Sequence, residues 1–250
     1  MRKSNKGMDT TMGGAGRSFP ETTMGLVRSL STPVQPRFQD AVHELCRRYW
    51  KPIYYYVRLS WAKSNEDAKD LTQAFFAWLL QGDALRKYRP ERGGFRGYFK
   101  VLLRRFVGHQ EAASVRLKRG GGASVVALDD GVPSLQEILP DPGTRDPEKV
   151  FDQAWWLTTI HYAVERVRAR MLQEGREIPF RIFERHDVAS RGDPPTYRDL
   201  ALEFNLKETQ VRDHLAAVRR EVRAEIFSEI ESTTSNPQEL KEELDAFFRP

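Results

Sequence analysis

From Phe95 to Phe106, the run Phe95-Arg96-Gly97-Tyr98-Phe99-Lys100 through Arg104-Arg105-Phe106 interleaves cations with aromatics. Cations track a phosphate backbone and aromatic faces stack unpaired bases, so the pattern suits a single strand of nucleic acid. Phe95, Phe99 and Phe106 are expected in a core, which leaves Tyr98, His109 and Gln110 as the side chains suited to base contact. Positive charge is concentrated here: between Arg86 and Arg119 eleven Lys or Arg stand against Glu91 and Glu111, a balance of +9, whereas the whole chain carries +5. The remainder is net negative.

A second basic set lies near the C-terminus. Thr196 stands three residues before Asp199 and follows two prolines, the pattern of a capped helix start at Tyr197. That helix is expected to bury Leu200, Ala201 and Phe204, turn at Asn205 and seat Leu206 beneath the turn. The next helix has Val211, Leu215, Val218 and Val222 on its inner stripe, leaving Gln210, Arg212, Asp213, His214, Arg219, Arg220 and Arg223 outside it. Gln210 and Arg212 have the bidentate chemistry that reads adenine and guanine edges, and the later arginines suit phosphates. An ordinary helical hairpin with a solvated charged face has the same pattern.

Catalytic chemistry has little support. Cys46 sits beside Leu45 on a helical segment and reads as a buried thiol, while His43, His109, His161, His186 and His214 are scattered without metal-ligand spacing. No nucleotide-binding fingerprint follows a strand, and no cofactor is expected. The single cysteine and the absence of an apolar segment after Arg2 and Lys3 favour a cytoplasmic protein. No run approaches the ~18 apolar residues of a membrane span.

The elements that must carry these groups are helices. Val42, Leu45 and Tyr49 recur at helical spacing, and Pro52 predicts a break before Ile53 to Leu59, which gives a kinked or a paired helix. Ser64 with Asp67 forms a short-acid capping box before a helix with the inner stripe Ala68, Leu71, Phe75 and Leu79. Residues 123–149, with Asp129, Asp130, Glu137, Asp141, Asp146 and Glu148, read as an acidic linker. Helicity resumes with the stripe Phe151, Trp155, Ile160, Val164, Val167 and Met171 and stops near Gly175. Leu240, Leu244 and Phe247 or Phe248 predict a short final helix packed on the second domain. The expected fold is all-α: two small helical domains (21–122 and 150–235) joined by a flexible acidic linker (123–149), the second containing a helix-turn-helix, with a tail over 1–20 and an extension over 236–250.

Asp67-Ala68-Lys69-Asp70-Leu71-Thr72-Gln73-Ala74-Phe75-Phe76 resembles the signature of the bacterial RNA polymerase sigma factors of the extracytoplasmic-function group. The Phe-Arg-x-Tyr helix and the terminal two-helix pattern follow in the family's order. The resemblance implies a non-enzymatic subunit with core RNA polymerase and promoter DNA as partners, and it admits a protein inhibitor of the anti-sigma type. By position, Asp67, Asp70, Leu71, Gln73 and Phe76 would form or support a polymerase-docking helix. Arg96, Tyr98, Lys100, Arg104, Arg105, His109, Gln110, Arg116, Lys118 and Arg119 would hold the melted minus-ten strand. Lys207, Gln210, Arg212, Asp213, His214, Arg219, Arg220 and Arg223 would meet the minus-thirty-five duplex, and the acidic linker would run through the polymerase cleft. Ala74 stands where the motif has Glu, and His109 where Asn is common.

Two other readings keep the same residues. An autonomous dimeric helix-turn-helix regulator would bind a palindromic duplex without polymerase. An interaction adaptor would use the basic patches for protein contacts.

Overall fold

The computed structural model describes Val27, Ser29, Leu30 and residues 38–116, 146–189, 193–234 and 236–248, with the backbone alone at 113–116 and 248. The tail over 1–20, glycines 120–122, Lys118, Arg119 and the linker up to 145 lie outside the described residues. The described residues are all-α, with eight α-helices and no strand among them.

Helix α1 spans Phe38–Tyr55 and continues without interruption through Pro52, then widens into a π turn over Tyr56–Ser60. Of the two expected forms the paired one is absent, since one helix runs through Pro52. Proline removes one helical hydrogen bond, but Tyr49, Ile53, Tyr56 and Val57 on either side are all buried, and burial of that apolar surface outweighs a cost of about 3 kcal/mol.

Helix α2 (Asn65–Gln81) starts where Ser64 Oγ accepts the Asp67 N–H at 3.1 Å. Its buried side includes Ala68, Thr72, Phe75, Phe76 and Leu79. Helix α3 (Phe95–Arg116) inserts Phe95, Phe99, Leu103 and Phe106 into the same core. Tyr49 and Phe99 meet at 4.3 Å between centroids, and Phe75 meets Phe99 edge-on at 5.3 Å.

Helix α4 (Pro147–Gln173) begins inside the stretch expected as linker. Asp146 caps it by accepting the Glu148 N–H at 3.0 Å, and Pro147 occupies a first-turn position where its missing donor costs nothing. It ends at Gly175, whose φ of +70° suits glycine, with the Arg176 N–H donating back to the Met171 carbonyl at 2.8 Å. The buried face contains Trp155, Thr159, Ala163, Val167 and Met171, while Ile160 is exposed. Ile160 lies about 140° around the helix from Trp155 at 100° per residue, off the stripe to which its apolar type had assigned it.

Helices α5 (Glu177–Phe183), α6 (Tyr197–Phe204), α7 (Glu208–Thr233) and α8 (Pro237–Phe248) complete the chain. Helix α4 packs against α1 and the Tyr56–Ser60 turn, and also against α7. One buried cluster consequently runs from Leu45, Tyr49 and Phe99 through Phe151 and Trp155 to Met171, Ile182, Val211 and Leu215. The helices on the two sides of residues 117–145 share α4.

Charge also crosses this core. Glu44 on α1 is 2% exposed, accepts from Arg47 Nε at 2.9 Å and pairs with Arg48 at 2.5 Å. The same two guanidiniums reach Glu229 on α7 at 3.2 and 3.3 Å, and Arg166 of α4 pairs with Glu229 as well. Burial opposes ionisation of Glu44, but the two guanidiniums outweigh it and hold the carboxyl at about 2.

Candidate nucleic-acid interface

Helix α3 offers two faces besides its core face. Arg96, Lys100 and Arg104 follow one another at steps of four residues and share one side. Tyr98, Val101, Arg105 and His109 share another, where Val101, Arg105 and His109 are exposed. Tyr98 is half-buried, with its hydroxyl donating to the Ala84 carbonyl at 2.6 Å and its ring 5.4 Å from Tyr88. Gln110 is exposed near the C-terminal end. Of the remaining candidates, Arg116 is described by its backbone alone.

The first face is covered at Arg96 and Lys100, while Arg104 is exposed. Arg96 Nη1 donates to Asp152 at 2.8 Å, its Nε donates to Glu243 at 3.0 Å, and its guanidinium lies 5.0 and 4.7 Å from the rings of Trp155 and Trp156. Lys100 donates to both Asp152 oxygens at 3.1 Å and approaches Glu148 at 3.7 Å, and Arg104 pairs with Glu148. Two carboxylates four residues apart on α4 thus oppose three cations at the same spacing on α3. The matching four-residue rhythm is visible in the sequence, but it identifies a pair only once the two helices are known to be neighbours.

The second candidate surface is built by α6 and α7. Thr196 and Asp199 form the reciprocal cap at the start of α6, with the Asp199 N–H donating to Thr196 Oγ1 at 3.2 Å and the Thr196 N–H donating to Asp199 at 3.0 Å. Asn205 turns the chain at φ 52°, ψ 52°, and the Leu206 N–H donates to the Ala201 carbonyl at 2.9 Å. Gln210 Oε1 accepts the Lys207 N–H at 2.9 Å, tying the first turn of α7. Val211, Leu215, Val218 and Val222 are buried as their spacing predicts.

Lys207, Gln210, Arg212, Asp213, Arg220 and Arg223 are exposed, and His214 is half-buried. Arg212, Arg220 and Arg223 make no ion pair with any described residue. Arg219 differs: its Nε and Nη2 each donate to Asp187 at 2.7 Å. Burial opposes ionisation of Asp187, but Arg219 outweighs it and lowers its pKa.

The segment Asp67–Phe76 divides by depth. Asp67 and Asp70 are exposed, Leu71 and Gln73 are half-buried, and Phe76 is 5% exposed with its ring stacked on Trp50 at 5.9 Å. Phe76 therefore supports the helix from inside. Asp67 also accepts from Ser64 Oγ at 2.7 Å, whereas Asp70 makes no ion pair with a described residue.

No family model, curated protein or solved structure matches the chain.

Cys46 is half-buried, and burial pushes its thiol up to about 11, far from a reactive thiolate at neutral pH. Among the described residues, no group of three His, Cys, Asp or Glu is placed to hold a metal ion. No described helix is long and apolar enough to cross a membrane.

Proposed function

We propose that the protein is a promoter-specificity subunit that binds core RNA polymerase through α2 and directs promoter recognition, DNA melting and the start of transcription. The observation that carries the reading is the division of the Asp67–Phe76 segment. Its apolar members Ala68, Phe75 and Phe76 enter the core, and its acids Asp67 and Asp70 stand on the surface as a docking helix requires. The exposed arginines of α7 supply the chemistry for a duplex, and α3, with Arg96, Lys100 and Arg104 on one face and Tyr98, Arg105 and His109 on another, supplies it for an unpaired strand.

The autonomous regulator is favoured by one specific contrast: Arg212, Arg220 and Arg223 are open while Arg96 and Lys100 are engaged inside the chain. Such a protein would bind duplex through α7 alone.

The deciding experiment is a pull-down of purified bacterial core polymerase by the full chain, beside an Asp70→Arg variant. Capture by the parent and loss by the variant supports the subunit. Strong specific duplex binding with no capture of core transfers the function to the autonomous regulator.

A further inference from the structure

Helix α8 carries four carboxylates, Glu239, Glu242, Glu243 and Asp245, against Lys241. It lies over the Arg96–Lys100 face of α3. Glu243 reaches Arg96 Nη2 at 2.5 Å, and Glu239 sits so close to Gly94 that a Cβ there would overlap its carboxylate. Together with Gly97 and Lys100 these groups line a cleft of about 260 Å³. Between α8 and the Asp152 side of α4, Arg96 and Lys100 are 12% and 14% exposed.

The apolar side of this contact is thin. Leu240, Leu244 and Phe247 are only half-buried, and the firmest anchor is the Phe247 ring edge-on to Trp156 at 4.7 Å. Burial holds the Glu243 carboxyl above its usual range although Arg96 faces it, a desolvation cost that water would remove. A helix held by few apolar contacts and by carboxylates on cations has the chemistry of a displaceable polyanion mimic.

We propose that α8 is a built-in acidic cover that competes with a single nucleic-acid strand for Arg96 and Lys100, so that a strand binds this face of α3 only after α8 has left it. The inference rests on reading α3 as a strand-binding helix. Glu148 and Asp152 of α4 are the fixed part of the cover, and α8 is the part that moves.

The test is an anisotropy titration of labelled oligo-dT with the full chain and with a Glu239→Gln/Glu243→Gln variant. The variant is expected to bind about tenfold tighter, the factor by which a competent state populated at roughly one part in ten weakens an apparent affinity. A second variant, Gly94→Cys/Glu239→Cys in a Cys46→Ser background, compares one chain with itself. Its oxidised form, with α8 tethered, should bind more weakly than its reduced form, whatever the substitutions do to stability. Unchanged affinity in the charge variant, or equal affinity of oxidised and reduced forms, overturns the cover. If core polymerase is still captured in that case, the subunit reading survives without it. A gain in oligo-dT affinity with no capture of core leaves the cover standing on a different nucleic-acid binder.

Discussion

Arg47 on α1 donates to Glu229 on α7 at 3.2 Å, joining residues 182 positions apart. Glu44 completes the arrangement by accepting from the same guanidinium at 2.9 Å. Two carboxylates and three arginines thereby hold α1, α4 and α7 together at a point where most contacts are apolar.

Removing one member strands the others. Glu44→Ala leaves the Arg47 and Arg48 guanidiniums with half of their acid partners and should cost about 3–5 kcal/mol, the usual range for breaking a buried pair from one side. Urea unfolding measures it, and a loss below about 1 kcal/mol would show that water replaces the carboxylate. The pH dependence has a defined sign. The folded pKa of about 2 lies below the ordinary 4.5, so the stabilisation is complete above 4.5 and is lost as pH falls toward 2. Across that window the parent should lose more stability than Glu44→Gln does.

The arginines of α7 should separate in their response to salt. Arg220→Ala and Arg223→Ala, which remove exposed charges, should each reduce the slope of log affinity for duplex against log salt by about 1. Arg219 is already held by Asp187 through two bonds of 2.7 Å, so Arg219→Ala should change the slope less and lower the thermal midpoint more. Equal slope changes for all three would mean that Asp187 yields Arg219 to phosphate.

Asn205 is left-handed at φ 52°. Asn205→Ala should destabilise the chain by about 1–2 kcal/mol, because alanine keeps the Cβ that crowds the following carbonyl and loses the short amide that offsets it in asparagine, whereas Asn205→Gly, with no Cβ, should stay near the parent. Thermal unfolding of the two variants checks this, and equal losses would place the role of Asn205 in its side chain.

The final helix should contribute little to stability but not nothing. Phe247→Ala removes the edge-on contact with Trp156 and should cost about 0.5–1.5 kcal/mol beyond the lost area. An unchanged thermal midpoint would show that α8 is held by charge alone.

Local signals are legible in the sequence. The caps at Ser64 and Thr196, the left-handed turn at Asn205 and the stop at Gly175 each depend on side chains within a few residues of the backbone groups they satisfy. Pro52 does not split α1 because the energy that keeps the helix continuous comes from packing against distant helices, and Ile160 is exposed because its angular position, not its apolar type, decides which way it faces. The candidate strand-binding face was legible as a set of cations. Its occupation by Asp152 and Glu243 was not, since those partners lie 56 and 147 residues further along the chain.

That separation has a consequence for a chain being made. Arg96 leaves the ribosome 56 residues before Asp152 and 147 before Glu243. At about 5–20 residues per second the last acid follows the arginine by roughly 7–30 s. During synthesis the Arg96 side of α3 is therefore bare to the nucleic acids around it until Asp152 emerges, and Arg96 lacks its second carboxylate until Glu243 follows.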